Sequence, residues 1–138
     1  MTEPRKLLIL VGSPRCAGNS ATLATAVQRG AEATGAQVVL RFVDDFIASF
    51  LRDYRSCRLP SGECAIADHF RTLLFEDFLP AQGVIFCSPV YWYGLSAKTK
   101  AFFNRTFVLF VASETAWAKS LRSRRSAPGR RPVRQRNL

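Results

Sequence analysis

The stretch LLILVGSPRCAGNS, residues 7–20, sets the fold class of this 138-residue chain. Its first five residues are continuously apolar, as in a strand that is buried on both faces of a parallel sheet. The run ends at Gly12, and a polar loop leads into a segment whose apolar residues recur at helical spacing, namely Leu23, Ala24, Val27 and Ala31. That order predicts a strand, a loop and a helix in succession.

Two further apolar runs predict a second and a third buried strand, VVLRFV at residues 38–43 and GVIFC at residues 83–87. Helices and loops complete the prediction: a helix from Asn19-Ser20 to a C-cap at Gly35, a short helix over residues 44–52, a loop over residues 54–67, a helix from an N-cap at Asp68 to Phe78, and a helix from Ser96 to about Leu109. Strands that alternate with helices imply right-handed crossovers and a parallel sheet covered on both faces. We therefore predict an α/β, doubly wound parallel sheet, and we take its strand order as 2-1-3, the order found in one of the two common doubly wound folds.

The positive charge of the chain is concentrated at its C-terminal end. The formal net charge is +10, and residues 119–138 contain eight lysines and arginines and no acid. The other residues therefore carry twelve positive against ten negative charges. We predict a nearly neutral domain at residues 1–118 and a basic, disordered tail at residues 119–138, because the tail combines like charges with few apolar residues.

Composition also bounds the class of protein. An arginine-rich tail attracts nucleic acid, but the chain has no helix-turn-helix, zinc-finger or RNA-binding motif, so nucleic acid is expected as a weak partner through the tail at most. No apolar run approaches the roughly 20 residues of a membrane span, and no signal peptide is recognisable. We expect a cytoplasmic protein with no membrane partner, whose four scattered cysteines are reduced thiols.

The loop GSPRCAGNS, residues 12–20, has the composition of an anion site. A polar, glycine-bearing loop that opens a helix presents backbone N–H groups and the positive end of the helix dipole to a phosphate. Further donors come from the side chains of Ser13, Arg15, Asn19 and Ser20. The loop lacks the ending of the ATP-type P-loop and the spacing of dinucleotide loops. A helix N-terminus without a ligand is the alternative.

A second informative segment, SPVYWYGLS at residues 88–96, follows the third strand. Consecutive aromatic side chains in a loop are costly to expose unless they cover something, and rings beside free backbone amides suit a flat ligand with polar edges. The alternative is that these rings fill the core or a subunit contact. In the strand order 2-1-3 this segment lies beside residues 12–20, at the switch point where flavodoxin-like folds bind FMN.

Both segments together resemble the NADPH-dependent FMN reductase family, which is flavodoxin-like. The resemblance rests on Gly-Ser-Pro-Arg-x-x-Gly-Asn-Ser at residues 12–20 and on Ser-Pro-Val-Tyr-Trp at residues 88–92. It also rests on Lys-x-Phe-Phe-Asn-Arg at residues 100–105, where the family has Asp in place of Asn. It extends over about residues 5–120.

The resemblance implies that FMN binds non-covalently. Its phosphate would be held by Ser13, Arg15, Asn19 and Ser20, and its ring would be lined by Pro89, Val90, Tyr91, Trp92 and Gly94. In such proteins the flavin accepts hydride from NADPH or NADH and passes electrons to a small-molecule acceptor, while the protein supplies placement and electrostatics. No catalytic acid–base residue and no metal ligand is predicted, and His69 is interpreted as a solvated helix residue.

The sequence GECAIAD at residues 62–68 resembles one branch of that family, the iron–sulfur flavoproteins. That branch carries a compact group of cysteines just upstream, and a cubane cluster normally takes four thiolates. Here Cys57 is the one cysteine nearby, while Cys16 and Cys87 belong to other elements. We interpret the segment as a cluster loop without its cluster, and a redox pair of Cys57 and Cys64 as the alternative.

The resemblance ends before the chain does. Relatives continue after residue 121 with a fourth apolar strand, whereas residues 124–138 contain no apolar run. We predict that the family-like chain is truncated or altered at its C-terminal end and that the sheet is incomplete, without strands four and five. Strand three would then be an exposed edge, which a homodimer partner could cover. Three function hypotheses follow: an FMN-binding NAD(P)H-dependent oxidoreductase that reduces a flavin, quinone or similar acceptor, a truncated inactive flavin-binding module, and a nucleic-acid-binding protein that acts through its arginine-rich tail.

Overall fold

The computed structural model describes residues 4–53, residue 59 and residues 64–106. Four predictions fall wholly or partly outside these residues. They are the loop that contains Cys57, the end of the last helix at residues 107–109, the absence of a fourth and a fifth strand, and the basic tail at residues 119–138.

The described chain contains three parallel strands, a small hairpin and helices. The strands are β1 (Lys6–Val11), β2 (Gln37–Phe42) and β3 (Gly83–Cys87), and the hairpin consists of β4 (Val90–Tyr91) and β5 (Gly94–Leu95). The helical elements are α1 (Asn19–Glu32), a 3₁₀ turn (Val43–Asp45), α2 (Phe70–Thr72) with a π-helical continuation (Leu73–Phe78), and α3 (Ala97–Thr106).

β1 is the central strand of the sheet. It pairs in parallel with β2 on one side and with β3 on the other, which confirms the predicted strand order 2-1-3. Leu8 and Leu10 pack with residues of α2 and α3, whereas Ile9 and Val11 pack with residues of α1. Because successive strand residues point to opposite faces, burial on both faces accounts for the continuous apolar run. Among the described strands, β3 pairs with β1 alone.

The short helix predicted for residues 44–52 is wrong. The 3₁₀ turn after β2 is followed by irregular chain, whose backbone groups bond to side chains of other elements. The Lys98 ammonium donates to the Ile47 carbonyl, and Asp68 Oδ2 accepts from the Ala48 amide at 3.0 Å. These tertiary hydrogen bonds replace the ones that a helix would have made.

The apolar face of α1 differs from the prediction at one position. Ala24 is buried and Val27 is half-buried, but Leu23 is exposed. One residue advances a helix by about 100°, since a turn takes 3.6 residues, so Leu23 lies at the margin of the stripe that contains Ala24. The helix ends at Glu32 with a C-cap at Ala33, two residues before the predicted C-cap. Gly35 lies in the turn that follows, with a φ of +82°, and its amide donates to the Glu32 carbonyl at 2.9 Å.

The N-cap of α2 is His69 and not the predicted Asp68, although Asp68 Oδ1, one residue earlier, accepts from the Phe70 amide at 3.1 Å. The helix then widens, and the Leu79 amide donates to the carbonyl of Leu74, five residues back, at 2.9 Å, which is the hydrogen-bond pattern of a π-helix. Within the described residues, no helix combines the length and the apolarity that crossing a membrane requires.

Candidate functional site

The carboxyl ends of β1 and β3 lie side by side. Val11 is in register with Cys87, and the Gly12 amide donates to the Cys87 carbonyl at 2.9 Å. The loop after β1, residues 12–18, therefore starts next to the segment after β3, residues 88–96. We call these two segments the glycine loop and the aromatic hairpin. Their adjacency is the arrangement predicted from the strand order.

The glycine loop is a tight turn with exposed donors. The Ser13 side chain is buried, and its Oγ accepts from the Arg15 amide at 3.3 Å. The Gly18 amide donates to the Arg15 carbonyl at 3.1 Å. Arg15 and Asn19 are exposed and Ser20 is half-buried. The four side chains predicted to hold a phosphate thus lie in this loop or in the first turn of α1.

The first turn of α1 has the electrostatics of an anion site. The helix begins at Asn19, after an N-cap at Gly18 that supplies no side-chain hydrogen bond. Its first hydrogen bond runs from the Thr22 amide to the Gly18 carbonyl at 3.0 Å, so the amides of residues 19–21 have no partner inside the helix. The first turn contains no acid. The free amides and the helix dipole therefore direct positive potential toward the glycine loop.

The aromatic hairpin is more regular than the predicted loop. β4 and β5 pair antiparallel, with Val90 opposite Leu95 and Tyr91 opposite Gly94. Trp92 and Tyr93 form the turn between them, with φ values of 48° and 61°. Positive φ at both central residues is characteristic of type I′ turns, which prefer Asn and Gly there. The bend thus falls on the two aromatic residues.

Those two aromatic residues are costly to place in this turn. Trp92 and Tyr93 are each 95% exposed, which excludes the alternative that they fill the core of the chain. A residue held in a sparsely populated backbone conformation costs about 1–3 kcal/mol, and exposed rings gain nothing from burial. Val90 and Tyr91 are also exposed, and Pro89 is half-buried. Strain together with exposure is typical of a binding surface.

Three hydroxyl side chains connect the glycine loop to the aromatic hairpin, and we call Ser88, Ser96 and Thr99 the hydroxyl cluster. Ser96 Oγ donates to the Gly12 carbonyl at 2.6 Å, and the Ser96 amide donates to Ser88 Oγ at 3.1 Å. Thr99 Oγ1 lies 2.9 Å from Ser96 Oγ. A Cβ atom on residue 12 would overlap Thr99 Oγ1 and lie 2.9 Å from Ser88 Oγ, so this close approach requires glycine.

Arg105, from the family-like stretch at residues 100–105, forms a buried ion pair with Asp68. The two side chains are 1% and 3% exposed, and the guanidinium donates to both carboxylate oxygens at 2.5 and 2.7 Å. It also lies 4.2 Å above the Phe70 ring. Burial alone would raise the pKa of Asp68, but hydrogen bonds from Arg105 and from two backbone amides hold that pKa below its ordinary value. The pair ties α3 to the start of α2.

The three described cysteines lie in separate places and form no disulfide with one another; that the cysteines are reduced thiols stays a prediction. Cys16 is exposed in the glycine loop, and Cys64 is half-buried, 3.5 Å from an Arg105 nitrogen. Cys87 is buried at the end of β3, where burial raises the pKa of its thiol. Since Cys57 lies outside the described residues, the Cys57–Cys64 pair and the interpretation of a cluster loop without its cluster stay predictions.

No local pattern assigns a role to the hydroxyl cluster. Ser96 directly precedes α3, which is the usual place of an N-cap serine, and this is the one signal that the sequence offers. The main partner of its hydroxyl is the Gly12 carbonyl, 84 residues away. Such a contact is visible once the sheet brings the ends of β1 and β3 together.

Comparisons with known proteins identify one family. No curated protein sequence matched the chain. The sequence profile of a family described as NADPH-dependent FMN reductase matches residues 5–122, a range that includes the sheet, the glycine loop, the aromatic hairpin and α3. Membership in that family suggests an oxidoreductase that uses FMN and a nicotinamide. Because the match spans most of the chain, this protein belongs to the NADPH-dependent FMN reductase family.

Proposed function

We propose that this chain binds FMN between the glycine loop and the aromatic hairpin, and that it transfers electrons from NADPH or NADH to a small acceptor such as a flavin or a quinone. One observation carries the proposal. A strained and exposed pair of aromatic residues, Trp92 and Tyr93, lies on the segment that adjoins an acid-free helix N-terminus. FMN joins in one molecule the two chemical groups that these surfaces suit, an anion and a flat ring.

The glycine loop suits the phosphate end. The amides of residues 19–21 need acceptors from outside the helix, and the exposed Arg15 guanidinium and Asn19 amide add donors beside them. Phosphate oxygens accept such charge-assisted hydrogen bonds strongly. Ser20, half-buried in the first turn of α1, adds a hydroxyl donor.

The aromatic hairpin suits the ring end. Tyr91 and Trp92 present apolar rings with polar edges; Tyr91 lies in the β4–β5 pairing and Trp92 in the turn that follows Tyr91. Bound FMN would supply the redox chemistry, accepting hydride from the nicotinamide and releasing electrons to the acceptor. The chain itself binds and orients the cofactor, so no acid–base side chain is needed at the ring.

The proposal is tested by titrating the purified chain with FMN and with riboflavin, which lacks the phosphate, and following the visible absorption of oxidised flavin. We expect both to bind, FMN more tightly. Ser20→Ala should weaken FMN binding about ten-fold and leave riboflavin binding unchanged. Thr25→Val, which removes a hydroxyl that bonds within α1, is the matched control and should change neither affinity.

Electron transfer is tested separately. A chain that binds FMN should oxidise NADPH or NADH in the presence of free flavin or a quinone, and the rate should saturate with FMN. FMN binding without any NAD(P)H oxidation would favour the inactive flavin-binding module. Equal affinity for FMN and riboflavin would contradict the glycine loop as the phosphate site.

A further inference from the structure

We propose that Ser96 and Thr99 are positioning residues that fix the distance between the glycine loop and the aromatic hairpin, so that both ends of one flavin nucleotide are bound at once. This inference rests on the proposed function and names the device that joins the two halves of the site. Neither hydroxyl is proposed to touch the ligand.

The first step is the direction of the hydrogen bonds. Ser96 Oγ has one proton, and the Gly12 carbonyl can only accept, so the 2.6 Å contact between them uses that proton. Thr99 Oγ1 must then be the donor in its 2.9 Å contact with Ser96 Oγ. A directed chain results, from the Thr99 hydroxyl through the Ser96 hydroxyl to the backbone of the glycine loop.

The second step concerns Ser88, which completes the connection. Its hydroxyl donates to the Pro89 carbonyl at 3.0 Å and accepts from the Ser96 amide at 3.1 Å. Ser88 lies two residues before β4, and Ser96 directly follows β5. Both ends of the aromatic hairpin are therefore held to each other, and through Ser96 to Gly12.

The third step weighs the ordinary explanation, which is helix capping. Ser96 Oγ does accept from the Thr99 amide at 3.4 Å, as an N-cap serine of α3 would. Capping uses the Ser96 oxygen only as an acceptor. It therefore explains neither the hydrogen bond that the Ser96 hydroxyl donates to the Gly12 carbonyl nor the one that it accepts from the Thr99 hydroxyl. Ser96 and Thr99 are 4% and 1% exposed, and buried hydroxyls are costly unless they are bonded. Apolar side chains would fill the same space without that requirement.

The fourth step is the consequence for binding. When one ligand contacts two surfaces, binding to the first surface makes binding to the second an intramolecular step. The strength of that step depends on how well the protein holds the two surfaces at the separation that the ligand spans. Gly12 begins the surface for the phosphate, and Ser88 and Ser96 bracket the surface for the ring. Loosening their connection should weaken ligands that span both surfaces and spare ligands that use one.

The test compares FMN with its two parts in Thr99→Val, a substitution that keeps the shape of the side chain and removes the hydroxyl. We expect FMN affinity to fall about five- to ten-fold. The affinity for riboflavin should equal that of the unchanged protein. The inhibition constant of inorganic phosphate against FMN binding should also be unchanged. Thr99→Ser, which keeps the hydroxyl, should restore FMN affinity, and Thr25→Val should leave it unchanged.

Ser88→Ala provides a second variant, since it removes the acceptor of the Ser96 amide and leaves the bond from Ser96 to Gly12. It should show the same selective loss of FMN affinity, and thermal unfolding should show that each variant is folded. An equal loss of FMN and riboflavin affinity in Thr99→Val and Ser88→Ala, or no loss of either, would overturn the inference while the proposed function stands. Failure of the unchanged protein to bind FMN would overturn both.

Discussion

Trp92 and Tyr93 are two residues whose backbone conformation lowers the stability of the fold. Both have positive φ values, at positions where type I′ turns prefer Asn and Gly. Glycine adopts such conformations without steric cost, whereas a bulky side chain there is strained. The tip of the aromatic hairpin is therefore less stable with these two residues than with Asn and Gly, and both rings are exposed to solvent.

This reasoning predicts opposite effects of one substitution on stability and on binding. The double variant Trp92→Asn, Tyr93→Gly should keep the free energy of unfolding or raise it by up to about 1 kcal/mol, because the strain is relieved. The same variant should bind FMN and riboflavin more weakly, since the ring surface is lost. Urea unfolding and flavin titration on one preparation measure both quantities.

A large loss of stability in that double variant would show that the two rings support the fold and would contradict their interpretation as a binding surface. Unchanged affinity for both flavins would mean that the flavin ring binds away from Trp92 and Tyr93. The single variants Trp92→Asn and Tyr93→Gly then show which of the two side chains makes the contact.

At the scale of elements, the Asp68–Arg105 pair joins α3 to α2 and to the chain after β2. Asp68 accepts from the Ala48 and Phe70 amides as well as from Arg105. One carboxylate thus satisfies donors from three parts of the chain. Removing one partner of a buried ion pair leaves the other charge without compensation, which typically costs about 3–5 kcal/mol.

We therefore expect Asp68→Asn to lower the free energy of unfolding by about 3–5 kcal/mol, measured by urea denaturation at neutral pH. Asp44→Asn is the matched control, because it breaks the more exposed pair with Lys98 and surface pairs contribute about 0–1 kcal/mol. Equal effects of the two substitutions would contradict the central role of the buried pair.

The same pair sets an acid dependence whose sign follows from the lowered pKa of Asp68. The folded protein favours the ionised carboxylate, so this contribution to stability is complete above the unfolded pKa of about 3.9. It is lost as the pH falls from there through the lower, folded pKa. Urea denaturation from neutral pH to about pH 3 should show a fall below roughly pH 4 that is smaller in Asp68→Asn.

At the scale of the whole molecule, the family match ends at residue 122, four residues into the predicted basic tail. The match includes every described element, whereas residues 123–138 lie beyond it and contain six arginines and no acid. The homodimer and the weak attraction to nucleic acid stay predictions from the sequence, as does the domain boundary at residue 118.

Deleting residues 123–138 should leave FMN affinity unchanged, because the proposed site lies between the ends of β1 and β3. The deletion lowers the net charge from +10 to +4. Salt-sensitive attraction to nucleic acid should therefore weaken sharply, since arginines that neutralise phosphates release counterions. Flavin titration and nucleic-acid binding at two salt concentrations measure these effects. Loss of flavin binding would mean that the tail belongs to the domain.

The sequence by itself determined the sheet and the place of the candidate site. The apolar runs of β1 and β3 are continuous, and a strand buried on both faces produces that pattern wherever it occurs. Alternation with helices predicts a parallel sheet but fits more than one strand order; the order 2-1-3 is the one implied by the resemblance to flavodoxin-like proteins, and it brings the glycine loop and the aromatic segment together. The strands themselves are local in the chain, so they could be predicted from residues alone.

The tertiary structure decided the features that depend on distant partners. The segment after β2 is not a helix, because Lys98 and Asp68 bond its backbone groups. Arg105 is a buried partner of Asp68, and Ser96 holds the carbonyl of Gly12. In each case a polar group is satisfied by a residue remote in sequence. Which remote group comes within hydrogen-bond distance is settled by packing, and no local pattern of residues records it.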